Sequence, residues 1–168
     1  MMAIGTMFRA AMACSLGLAG AALPAQTAEA PPAARDADFH NRQFLYLYAL
    51  RPADGWRQTP SGIRYRKVSG SADGPHPSPT DTVTIHYVGR FIDGTEFDSS
   101  VSRGEPATFP LPRLIRGWQE GVPLMSVGDR FEFAIPYNLA YGPVGRGPIP
   151  GGATLLFTID LIAIAPPG

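Results

Sequence analysis

The sequence predicts an α+β domain: a mainly antiparallel sheet with one short helix pressed against it, preceded by a helical extension. Three observations predict it. Residues 82–91 alternate strictly, with Val83, Ile85, Tyr87 and Phe91 on one face and Thr82, Thr84, His86 and Arg90 on the other, the period of a half-buried strand. Asp93-Gly94 follows at once, a hairpin turn signal. Residues 113–121 (Arg-Leu-Ile-Arg-Gly-Trp-Gln-Glu-Gly) form the one helix-like stretch after Ser61, with Pro112 before it and Gly121 at its close, the usual helix punctuation. Strands on both sides of it without βαβ alternation exclude a doubly wound sheet.

Taken in order, residues 1–25 read as a secretory signal peptide: Arg9, then an uncharged Ala/Leu/Gly run, then small residues, with cleavage expected between Ala25 and Ala30. The sole cysteine, Cys14, lies in that segment. A mature chain without thiols suits an exported, periplasmic or secreted address, and it leaves no disulfide, cysteine nucleophile or cysteine metal site. Residues 26–60 read as a linker and short helix, and 61–168 as one domain. Within the former, residues 36–50 form the helix, with Phe39, Gln43 and Tyr46 on one side and an unusually apolar remainder. That helix either packs on the domain or forms a partner contact, a weak homodimer through residues 36–50. Residues 51–60 are turn-rich.

Strands are expected at 63–68, 82–91, 95–99, 130–135 and 153–164, with a short extended piece at 108–111 and a loop at 101–106. Phe131, Phe133 and Ile135 face one way, and Leu155, Phe157, Ile159 and Leu161 point inward. Residues 136–152 are a long loop with four prolines and five glycines; a loop of that length in a compact domain is usually functional.

The inventory of reactive groups is thin. Lys+Arg and Asp+Glu are both 14 and no basic stripe is visible, so nucleic acid is not an expected partner. His40, His76 and His86 lack ligand spacing, Lys67 is the only lysine, and no phosphate loop or nucleophile elbow occurs. No metal or cofactor is expected. What remains is aromatic. Tyr87, Phe97, Trp118, Phe131, Tyr141 and Phe157 fall on inward faces or beside the long loop. They form either a plain core or an apolar pocket with a few polar ends, the usual form of a small-ligand site.

Five runs carry a resemblance: Val83-Thr84-Ile85-His86-Tyr87-Val88-Gly89, Asp93-Gly94-Thr95-Glu96-Phe97-Asp98-Ser99-Ser100, Ile115-Arg116-Gly117-Trp118-Gln119-Glu120-Gly121, Ala140-Tyr141-Gly142 and Ala153-Thr154-Leu155-Leu156-Phe157. In order and spacing they resemble the FKBP family of peptidyl-prolyl cis-trans isomerases. The likeness covers about residues 59–164, and Thr59-Pro60-Ser61-Gly62-Ile63 is similar to the domain entry of secreted bacterial members. The resemblance implies an antiparallel half-barrel around the short helix. It implies a catalytic set of Tyr87, Phe97, Asp98, Ile115, Trp118, Tyr141 and Phe157, with Arg103, Leu114 and Ile149 binding substrate. Trp118 would floor the site, Ile115 N–H and the Tyr141 hydroxyl would hold substrate carbonyls, and Asp98 would order the rim with Tyr87 and Arg103. Implied partners are proline-containing unfolded or partly folded polypeptides and macrolide-type ligands. Ala107 stands where many members carry an aromatic, and Pro150-Gly151-Gly152 replaces a frequent Pro-Pro pair. Those departures favour the alternative reading, a non-catalytic FKBP-like chaperone or partner-binding module.

Overall fold

The computed structural model describes residues 32–71 and 73–165. The expected signal peptide, its cleavage region and Cys14 lie outside them. The elements are α1 (Pro32–Ala49), β1 (Arg57–Gln58), β2 (Arg64–Ser69), β3 (Thr82–Arg90), β4 (Glu96–Ser99), α2 (Ser100–Arg103), β5 (Ala107–Pro110), α3 (Arg116–Gly121), β6 (Arg130–Ile135), β7 (Gly145–Arg146), β8 (Ile149–Pro150) and β9 (Leu155–Ala165). All pairings among them are antiparallel. The main sheet runs β1-β2-β6-β9-β3-β4, with β5 also on β3, and wraps as a half-barrel around α3.

β3 is the organising strand. Val83, Ile85 and Tyr87 are buried as their alternation requires, and Phe91, just past the strand, is half-buried. One edge of β3 pairs with β9 from Thr82 to Arg90. The other edge is divided: β5 takes Thr82–Ile85 and β4 takes Val88–Arg90. The Asp93-Gly94 turn closes as expected, with Gly94 at φ 88° and its N–H donating to Phe91 O at 3.0 Å.

The core lies between the inner sheet face and α3. Ile85, Ile135, Leu155 and Ile159 are fully buried there, each contributing roughly 1.5–3 kcal/mol by transfer from water. Glycine lets the helix come that close: a Cβ on Gly117 would lie 2.4 Å from Ile135 Cγ2, and one on Gly121 would lie 2.9 Å from Phe133 Cε1. The local cost of helical glycine, roughly 1 kcal/mol, is offset by this backbone approach. The entry turn is fastened to the same helix. Thr59 Oγ1 accepts from Ile63 N–H at 3.2 Å, and Ser61 Oγ donates to Glu120 Oε1 at 2.6 Å.

Several boundaries differ from expectation; the expected 136–152 loop, for one, contains the β7–β8 hairpin. The central helix does not begin at Arg113: Leu111–Arg113 is a separate 3-10 turn, Leu114 and Ile115 are extended, and α3 starts at Arg116. Pro112 sits inside that turn, so its fixed φ starts the wrong element. Residues 101–106 are not all loop, because Ser99 caps α2 by accepting from Ser102 N–H and Gly104 ends it at φ 79°. The first helix begins at Pro32, inside the expected linker, since proline suits a first helical turn. Its inward side is as read. Phe39 is half-buried and Gln43 is buried, with Oε1 accepting from Thr154 N–H at 2.9 Å. Phe44, Leu45 and Tyr48 stay exposed.

Candidate functional site

The divided edge of β3 makes one wall of the site. Neither β4 nor β5 pairs with Tyr87, so its N–H donates instead to Ser100 Oγ at 2.8 Å. That side chain is fully buried at the start of α2 and also meets His86 Nδ1 at 3.1 Å. α2 in turn delivers Arg103. Arg103 Nη1 donates to Asp98 Oδ1 at 2.5 Å and Nη2 to the Tyr87 hydroxyl at 3.0 Å, while Tyr87 donates to Asp98 Oδ2 at 2.5 Å. The guanidinium carbon lies 5.6 Å from the Tyr87 ring centre, within cation–π range.

This triangle has an electrostatic signature. Burial pushes the Asp98 carboxyl up, but hydrogen bonds from Tyr87 and Arg103 outweigh it and hold the group below the usual carboxylate range. Burial first, and then the Asp98 contact, push the Tyr87 hydroxyl above its ordinary value. The bonds to Tyr87 and Asp98 raise Arg103 further. At neutral pH the three are a fixed carboxylate, phenol and guanidinium.

Trp118 is the floor. It is 5% exposed and meets Tyr87 at 5.3 Å and Phe157 at 5.1 Å between ring centres, both edge-to-face. Its indole nitrogen is buried without a hydrogen-bond partner among the described residues. Phe97 packs edge-on to Phe157 at 5.7 Å. Gly89 makes room for that pair, since a Cβ there would lie 2.7 Å from the Phe97 ring and 3.0 Å from Phe157. Together with Leu114, Ile115 and Tyr141 these groups line a cavity of about 250 Å³.

The opposite side is built differently. Ile115 precedes α3 in extended conformation (φ −60°, ψ 150°), and its N–H has no acceptor among the described residues. Tyr141 lies in the stretch joining β6 to β9; it is half-buried and its hydroxyl is likewise unpaired among the described residues. Two free donors therefore line an apolar cavity across from a wall whose polar groups are already paired. The cavity offers positioning and desolvation, and no activated nucleophile or base.

All seven residues expected to be catalytic line this cavity, as does Leu114. Arg103 reaches it through Asp98 and Tyr87. Ile149 does not: in β8 its side chain is buried in the core, because the β7–β8 hairpin turns it inward. The expected gap at Ala107 is partly covered by Phe109 two residues on, which packs near Tyr87 (6.2 Å) and Trp118 (6.4 Å) and lines the cavity. Phe109, Arg113 and Arg146 were not among the expected site residues. The alternation Ala107, Phe109, Leu111 was the available signal for Phe109; the arginines had none beyond their place in the loops. A larger groove of about 550 Å³ runs between α1 and Pro136–Asn138, but it gathers no comparable aromatic set.

Comparison with known proteins gives one consistent result. The family model FKBP_C, FKBP-type peptidyl-prolyl cis-trans isomerase, matches residues 74–162. The FKBP-type peptidyl-prolyl cis-trans isomerase FkpA of Aeromonas hydrophila is 51% identical over 122 residues, covering 73% of this chain and 45% of that protein. The FKBP-type 22 kDa peptidyl-prolyl cis-trans isomerase of Escherichia coli K12 is 46% identical over 120 residues, 71% of this chain and 58% of that one. The crystal structure of FkpA from Escherichia coli superposes with a TM-score of 0.76 at 35% identity, covering 80% of this chain and 63% of that chain. The chain spans about half the length of the curated relatives it matches.

Proposed function

The chain belongs to the FKBP-type peptidyl-prolyl cis-trans isomerase family, and from that premise we propose that it accelerates rotation about X-Pro bonds and assists the folding of exported proteins. The observation that carries this reading is the pairing of an aromatic-lined cavity with two unused donors, Ile115 N–H and the Tyr141 hydroxyl.

Rotation about a peptide bond forfeits amide resonance against a barrier of roughly 18–20 kcal/mol. X-Pro bonds populate both isomers and exchange in tens to hundreds of seconds. No bond is made or broken, so the catalyst needs only to bind the twisted amide better than either planar form. A twisted amide has less charge separation than a planar one. Trp118, Phe97, Phe109 and Phe157 surround it with apolar surface and exclude the water that favours the planar states. Ile115 N–H and Tyr141 hold the flanking carbonyls in a turn-like pose. Tyr87, Asp98 and Arg103 are already bonded to one another, so the wall needs no rearrangement when substrate arrives. An acceleration of about 10⁴ needs roughly 5–6 kcal/mol of differential binding, which desolvation and two hydrogen bonds can supply.

In the same reading, residues 1–25 are a signal peptide that sends the chain to the periplasm or outside the cell, 26–60 a linker and helix, and 61–168 the isomerase domain. Among the described residues no helix is long and apolar enough to cross a membrane. The exposed Phe44, Leu45 and Tyr48 of α1 support a weak homodimer through residues 36–50, which sedimentation with and without those residues tests. The cavity also admits macrolide-type ligands, tested by competition with peptide. The central experiment is refolding of a proline-limited client by wild type, Asp98→Ala and Tyr141→Phe. Acceleration by wild type and its loss in Asp98→Ala are expected; a wild-type rate equal to the uncatalysed one rules the reading out.

A further inference from the structure

We propose that this pocket selects prolines with a carboxylate side chain within two residues, held by Arg113 and Arg146; the proposal rests on the isomerase reading and names its preferred substrate. Arg113 ends the 3-10 turn before α3 and Arg146 lies in β7, and both line the Trp118 cavity. Among the described residues the only carboxylate lining that cavity is Asp98, and it is taken by Arg103 and Tyr87. Asp98 and Arg103 cancel in charge, and Arg113 and Arg146 have no acid partner among the described residues. The pocket mouth therefore carries two uncompensated positive charges on a chain whose formal net charge is zero. The field is local to the site and is not a property of the whole surface.

The placement of the two arginines matters as much as their number. Arg113 stands two residues before Ile115, and Arg146 five residues after Tyr141. Both arginines are exposed and line the same cavity as Ile115 and Tyr141, so a peptide whose carbonyls meet those two donors lies in a cavity that also carries two guanidinium side chains. A guanidinium in reach binds a carboxylate with two parallel hydrogen bonds. A glutamate or aspartate beside the proline finds that partner; a lysine or arginine there meets repulsion. Leu114 and Ile115 supply apolar surface for the remainder of a neutral side chain, so the preference is graded rather than absolute.

The test measures blocked tetrapeptides in two ways: isomerisation by NMR exchange, and binding by the fluorescence of Trp118 against the constant background of Trp56. Ala-Glu-Pro-Phe is compared with Ala-Gln-Pro-Phe, and Ala-Ala-Pro-Glu with Ala-Ala-Pro-Gln. One of the two pairs shows a Glu:Gln ratio of about three- to tenfold at low salt, the range for one or two partly exposed ion pairs. The ratio falls toward one near about 0.5 M salt, where screening acts within a few ångströms. In the Arg113→Gln/Arg146→Gln double variant it falls to about one, and because the ratio is taken within each protein, any general loss of activity cancels. A wild-type ratio at or below one in both pairs, or a ratio that survives in the double variant, overturns the proposal. Preferential binding without acceleration keeps the charge preference and removes the isomerase reading. Acceleration with a ratio of one does the reverse, and absence of both binding and acceleration removes both.

Discussion

The two sides of the cavity are held in opposite ways. On the sheet side, the polar groups of Tyr87 and Asp98 are spoken for: Tyr87 N–H by Ser100, the Tyr87 hydroxyl and Asp98 by each other and by Arg103. The rings there are packed so closely that Gly89 cannot carry a side chain without displacing Phe97. On the loop side, Tyr141 and Arg146 stand on a stretch with glycines at positive φ (Gly142, Gly145, Gly147, Gly152) and a two-residue hairpin, β7–β8. The rings of the sheet side are part of the core, and the loop side is anchored to it through Leu139 and Ile149. Stability and the proposed activity are therefore expected to be coupled on one side of the pocket and separable on the other.

Substitutions sharpen or break that contrast, and the largest effect belongs to the sheet side. Phe157→Ala removes a buried β9 ring against Trp118 and Phe97 and should cost about 3–5 kcal/mol, read by urea denaturation, with the proposed isomerase activity lost alongside. Gly89→Ala comes next: its new Cβ must push two aromatic rings, an overpacking cost of about 1–3 kcal/mol. If Gly89→Ala is as stable as wild type, the wall is softer than its contacts imply.

A smaller effect concerns pH. The Asp98 pKa is lower in the fold than in the unfolded chain, where it is about 3.9. Its stabilising contribution is thus fully present above that value and is lost as pH falls through the lower, folded one. The stability gap between wild type and Asp98→Asn should stay constant from about pH 8 to pH 5 and close only below about pH 4. A gap already closing near pH 6 contradicts the fixed triangle.

The smallest stability effect belongs to the loop side. Tyr141→Phe removes a hydroxyl with no protein partner among the described residues, so stability should move by less than about 0.5 kcal/mol. Activity should fall about two- to tenfold, the worth of one hydrogen bond. If Tyr141→Phe destabilises the fold as much as Gly89→Ala does, the two sides are not distinct.

How legible the site was in the sequence follows the same division. The sheet side was readable because period-2 alternation places Tyr87 and Phe157 inward without reference to anything distant, and all seven catalytic candidates line one cavity. Phe109 escaped because a four-residue strand is too short to establish a period alone. α2 escaped for the same reason: four helical residues fall below any helical repeat, although Ser99 and Gly104 are a proper cap and stop. Pro112 misplaced the start of the central helix because a 3-10 turn and an α-helix accept the same proline. Ile149 went to the core because the direction of a side chain in a two-residue strand depends on its hairpin partner, which neighbouring residues do not reveal. No local pattern marked Arg113 and Arg146, since an exposed arginine in a loop looks the same wherever the loop is folded.

The position of β9 between β6 and β3 has a consequence for the order of assembly. The centre of the sheet is its last strand in sequence, and its partners begin 73 and 25 residues earlier, at Thr82 and Arg130 against Leu155. β2, β3 and β6 therefore wait for β9 before the sheet can close, and pairings this distant in sequence are slow to form. A chain still emerging from the ribosome cannot complete this domain from its first strands. Protease resistance should appear in one step, only once β9 has left the ribosome, and not strand by strand.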